Sequence, residues 1–257
     1  MTEQQQTLTI QQAMALAVQH HNAGRLPEAE KIYQQILQSD PNQPVALHRL
    51  GVIALQMGEI DTAIELTTKV LTFAPDLAEA HSNLGAALLT LGRLDEAVTH
   101  CTEAITIKPD LAEAHNNLGN ALKDLGKTDD AVTSYHKALS LKPDYAEAHN
   151  NLGNTFQELG KSEDAVASYH KALSLKPEYA EAHYNLGNAL QELGKSEDAV
   201  ASYHKALSLK PEYAEAHSNL GNILRKLERL DEAVTHCKKA VQFKPDLPEA
   251  YNNLGLS

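Results

Sequence analysis

Asparagine, histidine and cysteine carry most of the chemistry this chain could perform, and all three recur on a regular spacing. The heptapeptide AHNNLGN occupies 114–120 and returns at 148–154, with AHYNLGN at 182–188 and AHSNLGN at 216–222. Asn is a weak helix former, about 0.6 kcal/mol per residue worse than Ala, yet it is rewritten at helix start after helix start. A carboxamide presents one acceptor and two donors, so it can pair with both the N–H and the C=O of an extended polypeptide. At about 100° per residue, Glu113, Asn117, Asn120 and Asp124 fall in one narrow sector of a helix. The equivalent stripes are Glu147, Asn151, Asn154, Glu158, then Glu181, Asn185, Asn188, Glu192, then Glu215, Asn219, Asn222, Lys226, and Asn83 opens the series. Two uses of such a row stay open: holding a polypeptide backbone with little regard for its side chains, or bonding neighbouring helices and water.

Metal and nucleophile chemistry are the other candidates. His81, His115, His149, His183 and His217 recur a full repeat apart, just before the Asn stripe. Packed helices lie ~8–10 Å apart, too far for histidines two helices apart to share a metal with bonds near ~2.0 Å, so these residues are expected to pack. Cys101 and Cys237 lie four repeats apart and cannot bridge within one chain; two cysteines fit a reduced compartment better than a disulfide framework. His100–Cys101 and His236–Cys237 have neither an oxyanion donor nor an orienting third group beside them, so neither catalysis nor a cofactor is expected.

The elements that must position these residues follow from a period. Prolines fall at 41, 75, 109, 143, 177, 211 and 245, and glycines at 51, 85, 119, 153, 187, 221 and 255, each series stepping by 34 residues. A second glycine series, 24 to 194, breaks only at Glu228, and residues 158–183 and 192–217 are identical over 26 positions. A fixed period in this range is the signature of a stacked repeat array. In 112–145 the stripe Ala114, Leu118, Ala121, Leu122, Leu125 predicts one amphipathic helix, and Ala131, Tyr135, Ala138, Leu139, Leu141 a second. Asp110 is expected to cap the first helix with Glu113 completing a capping box. Gly126 should end that helix and Pro143 the second. So short a connection forces the two to pack antiparallel.

Leu118, Gly119, Ala131, Tyr135, Ala138 and Pro143 recur through nearly every unit, and this pattern resembles the tetratricopeptide repeat. Where that family places a large aromatic early in the first helix, this chain has the five histidines named above. The resemblance implies an all-α, right-handed α-solenoid of antiparallel helix pairs whose first helices line a concave groove. It covers seven units, 10–43, 44–77, 78–111, 112–145, 146–179, 180–213 and 214–247, the first degenerate with Ala17 in the glycine position. An N-terminal tail, 1–9, precedes them, and 248–257, PEAYNNLGLS, starts an eighth repeat or a capping helix. Pro27 suits the start of a helix in the first unit. The inner stripe of the second, Val45, Arg49, Val52, Gln56, is poorer in amides. These first two units, together with the Asn row, resemble the tetratricopeptide arm of bacterial O-linked N-acetylglucosamine transferase-like proteins. No Lys/Arg clamp for an acidic chaperone tail can be built from the scattered Arg49, Lys123, Arg225 and Lys226.

Composition bounds the partners. A net charge of −12 provides no basic stripe for nucleic acid. There is no apolar run of membrane-spanning length and no secretory signal, so a cytoplasmic protein without a membrane role is expected. The functional expectation is a non-catalytic protein–protein interaction scaffold that binds an extended polypeptide through Asn83, Asn117, Asn120, Asn151, Asn154, Asn185, Asn188, Asn219 and Asn222. The alternative is the substrate-recognition region of a glycosyltransferase whose catalytic domain is not in this chain. Self-association through the unfinished C-terminal end is also expected.

Overall fold

A computed structural model describes residues 9–248 and 251. Among them are fourteen α-helices and no strand, so the all-α class is as expected. They are α1 (Ile10–Asn22), α2 (Leu26–Ser39), α3 (Pro44–Met57), α4 (Ile60–Phe73), α5 (Ala78–Thr90), α6 (Leu94–Ile107) and α7 (Ala112–Asp124). There follow α8 (Thr128–Leu141), α9 (Ala146–Glu158), α10 (Ser162–Leu175), α11 (Ala180–Glu192), α12 (Ser196–Leu209), α13 (Ala214–Lys226) and α14 (Leu230–Phe243).

The chain divides into two compact units, Met1–Lys127 and Thr128–Ser257. In the first, α1/α2, α3/α4 and α5/α6 pair and α7 packs on α5 and α6. In the second, α8 packs on α9, and α9/α10, α11/α12 and α13/α14 pair. Within each unit the first helices of successive pairs touch, α3 to α5 to α7 and α9 to α11 to α13. No comparable contact joins α2, α4 and α6, or α10, α12 and α14, among the described residues. The first helices therefore lie on the more tightly curved side of each unit.

Small residues make this stacking possible. Ala97, Ala131, Ala165 and Ala199 on the second helices are fully buried, as are Ala80, Ala114, Ala148 and Ala182 on the first. The helical glycines permit a closer approach still: a Cβ on Gly187 would stand 2.6 Å from Cε1 of Tyr203, whose ring fills that space instead. Fully buried Tyr169 and Tyr203 thus provide the bulk that the alanines and glycines leave room for. The turn after α7 closes on Gly126, at φ 76°. There the N–H of Lys127 donates to Leu122 O at 2.8 Å, the six-to-one bond of a left-handed stop. Glu228 takes the same left-handed region, at φ 60°, where the glycine series breaks.

The capping expectation needs correction. The N-cap of α7 is Leu111, in extended conformation and without a side-chain cap, and the same holds for Leu77 before α5. Asp110 lies one residue too early because Lys108–Leu111 is a turn, with the N–H of Leu111 donating to Lys108 O at 3.2 Å. The equivalents of Glu113 form ion pairs instead, Glu79 with Lys108 and Glu215 with Lys244 at 2.8 Å, and Glu181 with Lys210 at 3.9 Å. A capping box does form at Thr9–Gln12, ahead of α1. The expected tail, apart from Thr9, and the expected eighth-repeat start, apart from Pro248 and Tyr251, lie outside the described residues.

Candidate functional site

The Asn row falls on the first helices, and in the second unit its members are joined to one another. Asn154 on α9 is the hub of one set: its Oδ1 accepts from the Tyr169 hydroxyl at 2.8 Å and from Asn185 Nδ2 at 2.9 Å. Asn185 also donates to Asn150 Oδ1 at 3.2 Å, so α11 is tied to α9 at two points. One pair further on the arrangement repeats. Asn188 Oδ1 accepts from Tyr203 at 2.8 Å and from Asn219 Nδ2 at 2.9 Å, and Asn219 also donates to the Tyr184 hydroxyl at 3.2 Å. Burial of Tyr169 and Tyr203, and the glutamate charge near them, raise both phenol pKa values and keep the hydroxyls protonated as donors.

These bonds use half of each amide. The Nδ2 groups of Asn185 and Asn219 and the Oδ1 atoms of Asn154 and Asn188 are engaged between helices. The Oδ1 atoms of Asn185 and Asn219 and the Nδ2 groups of Asn154 and Asn188 make no hydrogen bond among the described residues. All four residues are half-buried. The surface thus carries donors at 154 and 188 and acceptors at 185 and 219. Beside Asn219, a cavity of 270 Å³ is lined also by Tyr184, Glu215, Ser218 and Leu247.

In the first unit the row is looser. Asn117 Nδ2 reaches the carbonyl and hydroxyl oxygens of Ser82, both at 3.3 Å. Asn83 and Asn120 are half-buried, as is Asn151 on α9 of the second unit. Asn222, at the far end, accepts from Arg225 at 3.3 Å rather than from a tyrosine. Glu192, at the C-terminal end of its stripe, accepts from Gln157 at 2.7 Å and from Ser162 at 2.8 Å, joining α11 back to the preceding pair. Sequence reasoning did not select Asn150 and Ser82, although each lies beside a member of the row; their burial marks them as the acceptors between first helices.

The histidines do more than pack. His81, His115, His149, His183 and His217 each place Nε2 at 2.9–3.0 Å from the carbonyl oxygen of the proline six residues earlier. A carbonyl only accepts, so Nε2 carries the proton. The bond closes the turn into each first helix where the family has an aromatic. Two of these rings meet a second histidine: His81 Nδ1 lies 3.0 Å from His100 Nδ1, and His217 Nδ1 lies 2.8 Å from His236 Nδ1. Burial, then the facing histidines, lower His236 to about 4. Among the described residues, no group of three or more His, Cys, Asp or Glu is placed to hold a metal ion. Cys101 and Cys237 are buried free thiols, and burial pushes Cys101 up to about 12, far from a reactive thiolate.

The comparisons with known proteins agree with this fold. A family profile described as TPR repeat matches residues 87–126, 119–160 and 156–194, and two described as tetratricopeptide repeat match 184–248 and 20–88. The units are tetratricopeptide repeats. No curated protein sequence matches the chain significantly. Among solved structures, MamA is 28% identical with a TM-score of 0.58, over 63% of this chain and 95% of that one. YrrB, described as a TPR protein with an unusual peptide-binding site, is 22% identical with a TM-score of 0.59, over 74% of this chain and 98% of its own. The Cut9–Hcn1 hetero-tetramer is 20% identical with a TM-score of 0.83, over 93% of this chain and 47% of that one. At 20–22% identity the last two show the tetratricopeptide fold alone. No described helix is long and apolar enough to cross a membrane.

Proposed function

We propose that this tetratricopeptide array is a non-catalytic scaffold that binds an extended polypeptide along its first helices. The observation that carries this is the half-engaged amide row. Asn154 and Asn188 keep donors, and Asn185 and Asn219 keep acceptors, on side chains whose orientation the inter-helix bonds already fix. Prealigned donors and acceptors lose little entropy on binding, and together they complement the C=O and N–H of a strand. The row Asn83, Asn117, Asn120, Asn151, Asn154, Asn185, Asn188, Asn219 and Asn222 is the site on this reading, spread over the last five of the seven units within 10–247. The cavity beside Asn219 offers a seat for one ligand side chain. The peptide-binding site named for YrrB lends support by fold likeness.

A protein or peptide partner, a cytoplasmic setting without nucleic-acid or membrane partners, and self-association at the C-terminal end belong to the same proposal. Exposed Leu230 and Val234 on α14 support the last of these. The resemblance of residues 10–77 to transferase-linked arrays supports a narrower second reading, in which the bound polypeptide is the acceptor of a glycosyltransferase.

Screening an array of short peptides of varied sequence against the wild-type chain and the Asn185→Ala/Asn219→Ala variant tests the scaffold. Binding should tolerate most side-chain changes and weaken about tenfold in the variant, with helicity by circular dichroism retained. Peptides that bind both chains equally would overturn the role given to the amides. If co-purified partners carry no O-linked sugar, the transferase reading fails while the scaffold stands.

A further inference from the structure

A second candidate site lies away from the Asn row. Residues of α4, α5 and α6 line an open cavity of 620 Å³, within the size range of small-molecule pockets. Its floor is apolar, formed by Leu84 and Leu88 with Ile64 and Leu71 beside them. Its charged wall belongs to α6. There Arg93 grips both carboxylate oxygens of Glu96 at 2.7 Å, which neutralises that pair. Glu103 also lines the cavity and forms no ion pair among the described residues.

The hydrogen bonds fix what His100 offers. His81 Nε2 donates to Pro75 O at 2.9 Å, which leaves His81 Nδ1 as the acceptor of the neutral ring. His100 Nδ1 must then donate across the 3.0 Å contact, so its own Nε2 is a bare lone pair. That atom makes no hydrogen bond among the described residues, and His100 lines the cavity. Burial, with His81 opposite, holds His100 below the usual imidazole range and keeps it neutral.

The sibling helices show that this wall is particular to one place. At the position of Glu103, α2 carries Gln35 and the other five carry Lys69, Lys137, Lys171, Lys205 and Lys239, so only α6 places a negative charge there. At the position of His100, Ser134, Ser168 and Ser202 return their hydroxyls to the carbonyl four residues earlier and offer nothing outward. His236 repeats the histidine pair, but Lys239 stands next to it.

We propose that the cavity binds a small organic cation, a primary ammonium on an apolar body. The ammonium donates to His100 Nε2 and the Glu103 carboxylate, and the body lies on Leu71, Leu84 and Leu88. An aromatic or branched alkyl amine fits both the volume and the sign of the wall.

Calorimetric titration of the full chain with 2-phenylethylammonium, neutral 2-phenylethanol and anionic 3-phenylpropanoate tests this. The ammonium should bind saturably at one site, with Kd below about 1 mM, and the other two at least about tenfold more weakly. Glu103→Lys and His100→Ser each install the residue that sibling helices carry, so both should fold as the wild type by circular dichroism. Each should weaken the ammonium about tenfold or more. Equal binding of the three probes, no saturation, or full affinity in Glu103→Lys would overturn the proposal. The Asn185→Ala/Asn219→Ala variant leaves this wall intact and should bind the ammonium normally; loss there would also overturn it.

Discussion

Two kinds of helix pair share one backbone plan and solve the same packing problem with different side chains. In α9/α10 and α11/α12 the second helix offers Tyr169 or Tyr203, whose ring covers Gly153 or Gly187 and whose hydroxyl holds Asn154 or Asn188. In α5/α6 and α13/α14 it offers Cys101 or Cys237, whose sulfur covers Gly85 or Gly221. Sulfur fills the gap but brings no hydroxyl. The next first helix differs as well: Asn185 and Asn219 find an amide acceptor at 2.9 Å, whereas Asn117, with Ala86 at the position equivalent to Asn154 and Asn188, bonds Ser82 at 3.3 Å. Asn222, beside Cys237, turns to Arg225 instead. In the ordered part of the row each bridging asparagine, Asn154 and Asn188, thus has a tyrosine behind it.

The largest effect expected from this comparison is on stability. Tyr203→Ala should cost about 3–5 kcal/mol, as the loss of a fully buried aromatic does, and leave Asn188 with Asn219 as its one remaining donor. Cys101→Ala, which removes only a sulfur, should cost about 1 kcal/mol. Chemical melting of the two variants, with amide exchange to localise the loss, checks the ranking; similar costs would break the comparison.

Grafting sharpens it. Ala86→Asn with Cys101→Tyr rebuilds the tyrosine arrangement in α5/α6 and gives Asn117 the acceptor it lacks. Each change alone should destabilise, and the pair should recover about 0.5–3 kcal/mol relative to the sum of the two. Additive losses would mean that tyrosine and asparagine act independently.

The smallest effect concerns the histidine pair in the cysteine type. His236 faces His217 on α13, His204 on α12, and Lys239 and Glu232 on its own helix, and its folded pKa is depressed to about 4. An unfolded imidazole takes its proton near ~6.5, so between these values the unfolded state binds more protons. The stabilising contribution is thus complete above ~6.5 and lost as pH falls to about 4. With the ring only partly buried, solvent screening holds the loss to the order of 1 kcal/mol, or ~2–4 °C in Tm. His236→Ser, the residue of the tyrosine pairs, should flatten that part of the pH–Tm curve.

The repeat itself was readable because period, proline and glycine positions, and helical stripes are local properties of the chain. The outward sector of Asn117 and its equivalents followed from the same periodicity. What escaped was long in sequence and short in space. Glu79 reaches Lys108 across its own pair, a partner that three- and four-residue spacing rules do not see, and the capping box expected at the equivalent Glu113 carries no trace of it. His81 and His100 lie 19 residues apart and meet only because α5 and α6 fold back on each other. The division of labour within each amide, one half bonded and one half spare, depends on which neighbour comes within ~3 Å, and no spacing encodes that. The histidine–proline bond did leave a trace, a constant six-residue separation in five units, but its meaning is directional and needed the ring planes.

Residues 158–183 and 192–217 are identical, and the amides they bracket or adjoin sit in matching networks one unit apart. A ligand reading only those amides would find two seats of equal depth. Such a track fixes a segment sideways while leaving its position along the row undecided, so a bound chain could shift by one unit without a net change in free energy. Any phase it keeps must come from the places where the duplication fails, Asn150 against Tyr184, Thr155 against Ala189 and Phe156 against Leu190.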